Sequence, residues 1–371
     1  MQQRILEEFL ELVRIDSDSL GEREMADTLT RKLKELGCEV WEDKGMIEKI
    51  GGTAGNVYAV LEGDCPGAIL FSSHMDRVAN GRGICPVIAD GKVTAQGTIL
   101  AADDMSGVAA ILDGIRRVKA SGKPHPRVEV IFTVCEEKNV TGSRYIDYSR
   151  LEAKEGYVLD SPGRIGRVIN AAPSKAKIAF AAEGKNAHAG NAPEQGVNAV
   201  MAAAKALARL PDGRLDFETT ANYATFDAKG PSNVVNAYAA VNGEARSRND
   251  KKLDDYIELV KKTCKDIEAE TGAKFTVDIQ KDYKSFVIPM DSSCIQRAAK
   301  VYEQMGLEMK VEAGGGGMDA NRLNANGIAC VGLATGYSKN HGIYETLEVD
   351  DLLRSGEMVE RFIYQMAEEN M

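Results

Sequence analysis

Two short stretches decide the fold: residues 68–76, Ala-Ile-Leu-Phe-Ser-Ser-His-Met-Asp, and residues 101–107, Ala-Ala-Asp-Asp-Met-Ser-Gly. The apolar start of the first stretch predicts a buried strand, Ala68–Ser72, that runs directly into a His-x-Asp sequence. The second stretch predicts an acidic pair in front of a helix, Met105–Lys119, which is rich in Ala, Val and Ile. Because α/β proteins bind ligands where strands end and helices begin, this His and these Asp residues predict a metal site.

The overall composition excludes several classes of protein. Of 371 residues, 44% are hydrophobic and 27% are charged, which is typical of a globular protein. The net charge of −10, without clusters of Lys and Arg, argues against a nucleic-acid partner. No apolar run reaches about 18 residues, and residues 1–20 lack a signal-peptide apolar region, so we expect a cytoplasmic protein without a membrane partner. The seven scattered cysteines predict reduced, mostly packed thiols.

Strands and helices alternate along the first 160 residues. Helices are predicted at 2–14 and 22–36, and strands at Cys38–Trp41, Asn56–Leu61, Arg127–Val134 and Gly156–Leu159. Such alternation predicts an α/β fold with a mixed, largely parallel sheet and helices on both faces. Three of the strands end in acidic residues or in His-x-Asp, and the loops that follow strand ends meet at one edge of such a sheet.

A different pattern begins near Lys175. It consists of a strand at Lys175–Ala182, a helix at Gln195–Leu210, strands at Ala221–Phe226 and Val234–Glu244, a helix at Lys251–Glu270 and a strand at Lys274–Gln280. The order β-α-β-β-α-β is that of a ferredoxin-like α+β unit. We therefore predict a discontinuous domain of residues 1–173 and 288–371, and an inserted domain of residues 174–287.

Each candidate residue for chemistry also has a plain structural explanation. The four histidines are His74, His125, His188 and His341. His125 lies in Lys-Pro-His-Pro, which is typical of a solvated turn, whereas His74 follows a buried strand. The Asp pair would also suit a helix N-terminus as a cap and dipole partner. The Glu136-Glu137 pair, Asp160 and His341 would each also suit a polar loop or turn.

Five motifs, taken together and in their order along the chain, favour a metal site over these structural explanations. They are Ser-His-Met-Asp at 73–76, Ala-Asp-Asp-Met-Ser-Gly at 102–107, Glu136-Glu137, Asp160, and Asn340-His341-Gly342. Together they resemble the superfamily of co-catalytic zinc exopeptidases and deacylases, which includes peptidase T, the carboxypeptidase G type enzymes and the aminoacylases, and the peptidase T-like branch in particular. Met105-Ser106 departs from the Lys-Gly or Lys-Ala that is more usual there.

The resemblance covers nearly the whole chain and implies two divalent metal ions, zinc in the first place, with cobalt or manganese as alternatives. One ion would be held by His74, Asp103 and Asp160. The second would be held by Glu137, His341 and the same Asp103, which would bridge the two ions. Independently of the resemblance, imidazole and carboxylate ligands without a thiolate suit these metals.

The same resemblance implies catalytic roles. Asp76 would orient His74, and Glu136 would be the general base for a hydroxide that bridges the two ions. His188 would contact the oxyanion, as a similar His does in relatives, often across a dimer interface. The alternative is that His188 is a surface-loop residue. The resemblance further implies a cis peptide bond after Asp103.

The inserted domain resembles the lid and dimerisation domain of this superfamily, which implies a homodimer. Its Asn233 and Arg246 resemble residues that bind a substrate carboxylate. Arg248 is a rival candidate for the role of Arg246. The glycine run 314–317 lacks the spacing of a phosphate loop, and is expected either to line the substrate pocket or to form a flexible loop. The expected substrate-binding residues are Asn233, Arg246, Gly316 and Asp319.

The leading hypothesis is a metal-dependent exopeptidase that acts on small peptides, specifically an aminopeptidase of the tripeptidase kind. An N-acyl-amino-acid deacylase or a carboxypeptidase of the same superfamily is the alternative, because the sequence offers candidates for binding both a free amine and a carboxylate. A third hypothesis is a catalytically inactive binding protein on this fold. A thiol enzyme that uses Cys135 beside Glu136 lacks an adjacent histidine in the sequence.

Overall fold

The computed structural model describes residues 2–43 and 45–370. The helices are α1 (Gln2–Leu12), α2 (Arg23–Glu35), α3 (Gly45–Ile50), α4 (Ala102–Ser121), α5 (Ala199–Arg209), α6 (Asp250–Thr271), α7 (Ser293–Gln304), α8 (Asp319–Ala325) and α9 (Val349–Asn370). The strands are β1 (Glu39–Glu42), β2 (Val57–Leu61), β3 (Cys65–His74), β4 (Pro86–Ala89), β5 (Lys92–Ala95), β6 (Pro126–Thr133), β7 (Glu155–Ser161), β8 (Arg167–Ala172), β9 (Ser174–Glu183), β10 (Gly213–Arg214), β11 (Thr219–Asp227), β12 (Tyr238–Ser247), β13 (Lys274–Tyr283), β14 (Phe286–Val287), β15 (Lys310–Ala313), β16 (Ala329–Ala334), β17 (Tyr337–Ser338) and β18 (Thr346–Glu348). These residues form a first unit, up to Ala172 and from Val287 onward, and a second unit, Pro173–Phe286.

The first unit is built on a mixed sheet with a parallel centre. Its strands follow the order β1-β2-β6-β3-β7-β16-β8, with β15 also beside β8. The pairs β6–β3, β3–β7 and β7–β16 are parallel, whereas β2 and β8 run antiparallel to their central neighbours. The register places His74 opposite Thr133 on β6, and Ser72 opposite Val158 on β7. The carboxyl ends of three neighbouring strands therefore lie side by side.

Helices cover both faces of this sheet, as predicted. Residues 69–74 of β3 are all buried although successive side chains point to opposite faces, so neither face is open to water. Helices α4 and α9 pack against each other and against β3. The rings of Tyr157 and Phe362, whose centroids are 4.1 Å apart, connect α9 with β7, and Phe71 contacts Tyr157 from β3. All three rings are fully buried in the core of the first unit.

A small antiparallel sheet, β17-β18-β5-β4, was not predicted. Its strands have two to four residues, too few for a period-two pattern to be recognised. Tyr337 pairs with Leu347 and Ser338 pairs with Thr346, so residues 339–345 form the loop that joins β17 to β18. We call this segment the β17–β18 loop. The sheet matters because this loop carries His341.

The second unit has the predicted ferredoxin-like arrangement. Its antiparallel sheet follows the order β10-β11-β12-β9-β13, and α5 and α6 pack on it through a common apolar core. Two predicted boundaries were wrong. Helix α5 begins only after Asn198, whose side chain accepts the N–H of Met201 as an N-cap. Strand β12 begins at Tyr238, because Val234 instead forms an isolated bridge with His188.

None of the helices within the described residues combines the length and the apolar composition that are needed to cross a membrane.

The contact between α4 and α9 generates a stability prediction. A Cβ atom at Gly114 on α4 would lie only 2.4 Å from Cγ1 of Val359 on α9. We expect Gly114→Ala to destabilise the first unit by about 1–3 kcal/mol, because the two helices would be forced apart. Urea unfolding followed by the fluorescence of Trp41, the single tryptophan, measures this, since Trp41 stacks on Tyr58 within this unit.

Gly315→Ala is the matched control for this variant, because a Cβ atom there would have no heavy atom within 4 Å. We expect it to unfold at nearly the same urea concentration as the parent protein. Equal midpoints for the two variants would contradict the close approach of α4 and α9.

Candidate metal centre

Three parallel strands deliver polar side chains to one sheet edge. Strand β3 ends at His74, and β7 carries Asp160 next to its last residue. Strand β6 ends at Thr133, and Glu136 and Glu137 follow after two intervening residues. Since these strands are neighbours in the order β6-β3-β7, His74 stands between the glutamate pair and Asp160. The sheet edge alone therefore gathers four of the predicted residues.

The start of α4 adds the aspartate pair. Asp103 and Asp104 have non-helical backbone angles at the start of α4, and the peptide bond between them is cis, as the resemblance implied. Gly107 allows this helix end to lie directly against the sheet. A Cβ atom at Gly107 would be 2.6 Å from the carbonyl oxygen of Leu159 and 2.7 Å from Oγ of Ser73. A side chain at this position would push both aspartates away from the strand ends.

The carboxylate of Asp103 lies between two histidines. Its Oδ1 is 3.0 Å from Nε2 of His74, and its Oδ2 is 3.2 Å from Nε2 of His341. Nε2 of His341 is also 3.0 Å from Oε1 of Glu137, and Nε2 of His74 is 4.0 Å from Oδ1 of Asp160. The structure thus brings together all five residues that the resemblance implied as metal ligands.

These side chains fit a metal site by their chemistry. Two overlapping groups have ligand atoms within 4.8 Å of one another: His74, Asp103 and Glu137, and His74, Asp104 and Asp160. Nitrogen and carboxylate oxygen ligands without a thiolate suit zinc, cobalt or manganese. Asp104 was not predicted as a ligand. Its Oδ2 accepts the main-chain N–H of His74 at 3.1 Å, while its buried Oδ1 has no hydrogen-bond partner among the described residues.

The buried carboxylates and histidines of this group have shifted pKa values. Burial, with the charge of Asp103 added, raises the pKa of Asp160 to about 8. Burial and the neighbouring Asp160 also raise the pKa of Glu136 well above its usual range. Hydrogen bonds with Asp103 and Glu137 raise the pKa of His341 to about 10. Several buried carboxylates thus lie close together beside two imidazoles, and divalent cations would offset this negative charge.

Asp76 contacts His74 and also the main chain of the Glu136-Glu137 pair. Its main-chain oxygen is 2.9 Å from Nδ1 of His74, and its Oδ1 is 3.4 Å from the same nitrogen. Its carboxylate also accepts the N–H groups of Glu136 at 2.8 Å and Glu137 at 3.2 Å, and the hydroxyl of Ser19 at 2.6 Å. With Nδ1 bonded to Asp76, Nε2 of His74 is the nitrogen left for a metal. The hydrogen bonds from the main chain of Glu136 and Glu137 to Asp76 were not predicted.

Sequence reasoning also missed Glu345 and Asn340. Glu345 is buried and accepts three main-chain N–H groups from residues 100–103, and burial raises its pKa to about 7. Nδ2 of Asn340 donates to Oδ2 of Asp103 at 2.6 Å. The only sequence signal that either residue belongs to the site was its proximity to His341. This proximity does not indicate a contact with Asp103, which is more than 200 positions away in the chain.

The thiol hypothesis finds no support in the geometry. Cys135 is buried, and its thiol donates to Oε1 of Glu22 at 3.4 Å. Burial and the charge of Glu22 raise the pKa of this thiol above its usual value. A reactive cysteine needs an exposed and electropositive environment, so Cys135 is placed as a structural residue.

The remaining predicted residues are spread over both units. In the first unit, Gly316 is exposed, and Asp319 is buried with its Oδ2 accepting the hydroxyl of Thr133 at 2.5 Å. Near Gly316 there is open space, since a Cβ atom there would have no heavy atom within 4 Å. The hydrogen bond with Thr133 joins Asp319 to the end of β6.

In the second unit, Nδ1 of His188 accepts the N–H groups of Gly190 and Asn191, both at 3.2 Å. Asn233 lies close by in the fold, because its main-chain oxygen accepts the N–H of Ala189 at 2.9 Å. The ring proton of a neutral His188 is therefore on the exposed Nε2.

The two candidate arginines have different partners. Nε of Arg246, on β12, donates to Oε1 of Glu244 at 2.7 Å. Arg248 follows the end of β12 and donates to the main-chain oxygen of Phe217 at 2.8 Å. Both guanidinium groups have a hydrogen-bond partner, so these contacts favour neither Arg246 nor Arg248 as the residue that binds a substrate carboxylate.

The chain matches a known protein family over most of its length. A model of peptidase family M20/M25/M40 matches residues 70–365. The Bacillus subtilis (strain 168) protein YqjE is 38% identical over 368 residues, which cover 99% of each chain.

Two solved structures are similar over 99% of each chain. The aminopeptidase PepT from Bacillus cereus ATCC 10987 is 38% identical, with a TM-score of 0.93. A tripeptidase from Staphylococcus aureus subsp. aureus mu50 is 31% identical, with a TM-score of 0.95. The aligned span therefore includes both units.

We expect removal of metal by a strong chelator to lower the melting temperature of the first unit by roughly 5–10 °C. This estimate takes a metal at about 100 times its Kd, worth about 2.7 kcal/mol, and a shift of about 2–4 °C per kcal/mol. The physical reason is that the crowded carboxylates repel one another once the cations are gone. Thermal unfolding followed by Trp41 fluorescence measures the shift, and added zinc should reverse it.

Asp103→Asn is the control for the chelation experiment, because it removes the charge that both histidines contact. Its melting temperature should respond little to the chelator. Identical melting of the parent protein with and without chelator would contradict a metal-stabilised centre.

Proposed function

The chain belongs to peptidase family M20/M25/M40 as a peptidase T-like, metal-dependent peptide hydrolase, and from this premise we propose that it is an aminopeptidase that removes the N-terminal residue from short peptides, above all tripeptides. The observation that carries the proposal is the position of Asp103, with one carboxylate oxygen facing His74 and the other facing His341. A carboxylate in this position is suited to bind two cations at once.

We propose that His74, Asp103 and Asp160 hold one ion, and that Asp103, Glu137 and His341 hold the other. The three carboxylates carry three negative charges against four positive charges from two divalent ions, so the group is close to neutral once both are bound. Zinc is the proposed metal, and cobalt and manganese suit the same ligands. When bound, the ions polarise the carbonyl group of the scissile bond and make water more acidic.

Glu136 is the proposed proton carrier. Its main-chain N–H is held by Asp76 at 2.8 Å, and its side chain is only 8% exposed. Within residues 2–43 and 45–370, the carboxylate of Glu136 accepts no hydrogen bond, in contrast to that of Glu137, which contacts His341. A carboxylate oxygen of Glu136 is therefore available to accept a proton from the attacking water and to return it to the nitrogen of the leaving amine.

The second unit, predicted as residues 174–287, is proposed to serve in substrate binding and in formation of a homodimer, while residues 1–173 and 288–371 carry catalysis. His188 supports this assignment, because its Nε2–H suits donation to a developing oxyanion. Asn233, Arg246, Gly316 and Asp319 stay proposed substrate-binding residues. Sedimentation at several protein concentrations would test the dimer.

A substrate panel tests the proposed activity. Zinc-loaded protein is incubated with trialanine, dialanine, N-acetyl-trialanine and N-acetyl-alanine, and the products are identified by mass. We expect trialanine to yield alanine and dialanine, with loss of cleavage on N-acetylation. Preferred hydrolysis of N-acetyl-alanine would replace the aminopeptidase by the deacylase, and the absence of any metal-dependent hydrolysis would favour a binding protein.

Glu136→Gln tests the proton carrier. We expect kcat to fall by about 10²–10⁴-fold with little change in KM, because the amide keeps the shape of the side chain but cannot accept the proton. Steady-state kinetics on trialanine give both constants, and atomic emission gives the metal content, which should stay at two ions per chain. Glu137→Gln is the matched comparison, in which metal content falls together with activity. Undiminished turnover in Glu136→Gln would refute the assignment.

A further inference from the structure

Glu345 is a buried carboxylate at the end of the β17–β18 loop, immediately before β18. Its side chain is 1% exposed. Its main-chain N–H donates to the carbonyl oxygen of Gly342 at 3.1 Å, which closes the loop behind His341. The position of Glu345 is therefore fixed by the same short loop that carries a proposed metal ligand.

The carboxylate of Glu345 is directed entirely at the segment that carries the proposed bridging aspartate. Oε2 accepts the N–H groups of Leu100 and Ala101, both at 2.9 Å. Oε1 accepts the N–H of Asp103 at 3.0 Å. Ala101 has a positive φ of 58°, a conformation that a residue with a Cβ atom adopts only under constraint. Three hydrogen bonds to a charged acceptor supply such a constraint.

The β17–β18 loop contacts Asp103 at its side chain as well. Nδ2 of Asn340 donates to Oδ2 of Asp103 at 2.6 Å, and Nε2 of His341 is 3.2 Å from the same oxygen. The β17–β18 loop thus contacts Asp103 in two ways. Glu345 binds the main-chain N–H of Asp103, and Asn340 and His341 contact its carboxylate.

We propose that Glu345 is a positioning residue that sets the separation of Asp103 and His341, and thereby the affinity for the ion that these two ligands would share. The inference rests on the proposed two-metal function. Glu345 acts through the main chain of Asp103, which carries the ligand. Residues that orient metal ligands typically contribute about 10–100-fold to metal affinity, and Glu345 orients two ligands that come from distant parts of the chain.

Glu345→Gln is the main test, because it preserves shape and removes one acceptor. If the amide oxygen faces Leu100 and Ala101, the amide NH₂ faces the N–H of Asp103, and two donors then oppose each other. We expect one of the two zinc-binding steps of the apoprotein to weaken by about 10–100-fold, measured by calorimetric titration. At limiting zinc the activity on trialanine should fall, and a large excess of zinc should restore most of it.

Glu129→Gln is the matched control. Glu129 is a fully buried carboxylate on β6 that also accepts two main-chain N–H groups, those of Glu152 at 2.8 Å and Ala153 at 3.2 Å. The change should also lower the free energy of unfolding, since it removes a charged acceptor from these two N–H groups and from Nε of Arg127, which donates to Oε1 of Glu129 at 2.8 Å. Its zinc affinity should equal that of the parent protein, so the comparison separates positioning from general stability.

Glu345→Asp is the second variant, and it serves if Glu345→Gln does not fold. It keeps the charge but is shorter by one methylene, so the carboxylate cannot reach all three N–H groups, and we expect zinc affinity to fall in the same direction. Parental zinc affinity in every Glu345 variant that folds would overturn the inference while leaving the proposed function intact. A parent protein that binds no zinc would instead overturn the proposed function, and this inference with it.

Discussion

The contact of Asp103 with His74 on one side and His341 on the other is the interaction on which the candidate metal centre depends. It joins the end of a central strand, the start of α4 and a hairpin loop near the carboxyl end of the chain. Each of these segments is held by its own sheet or helix packing, so the three meet only if the whole unit is folded. The proposed chemistry is therefore a property of the entire first unit and of no single motif.

A second layer of buried carboxylates keeps these segments in place. Glu22 accepts the N–H groups of Leu20 and Cys135, Asp76 accepts those of the two glutamates after β6, and Glu345 accepts those of residues 100–103. Strand ends and helix starts leave main-chain N–H groups without partners, and a carboxylate can satisfy two or three of them at once. The cost is additional negative charge close to the centre, which bound cations would offset.

The sequence predicted the parallel sheet and the ferredoxin-like unit, and the resemblance implied the five residues of the candidate metal centre, Asp103 among them. Long apolar strands and amphipathic helices have recognisable patterns, and where such elements were predicted the errors lay at their ends, as at Asn198 and Tyr238. Strand β8 of the large sheet was not predicted, although it has six residues. The short strands β4, β5, β17 and β18 were missed, because two to four residues cannot display a period. These strands nevertheless build the hairpin that brings His341 to the centre.

What the sequence determined by itself was the kind of chemistry, since residue types and their order limit which ligands and which proton carrier are available. Only the tertiary structure decided which groups support them. Asp104, Asn340 and Glu345 act through hydrogen bonds whose partners are distant in the chain, and the direction of such bonds depends on backbone conformation at both ends. Hydrophobic periodicity records burial along one segment, whereas a hydrogen bond between two loops is set by how separate segments pack, which no local pattern encodes.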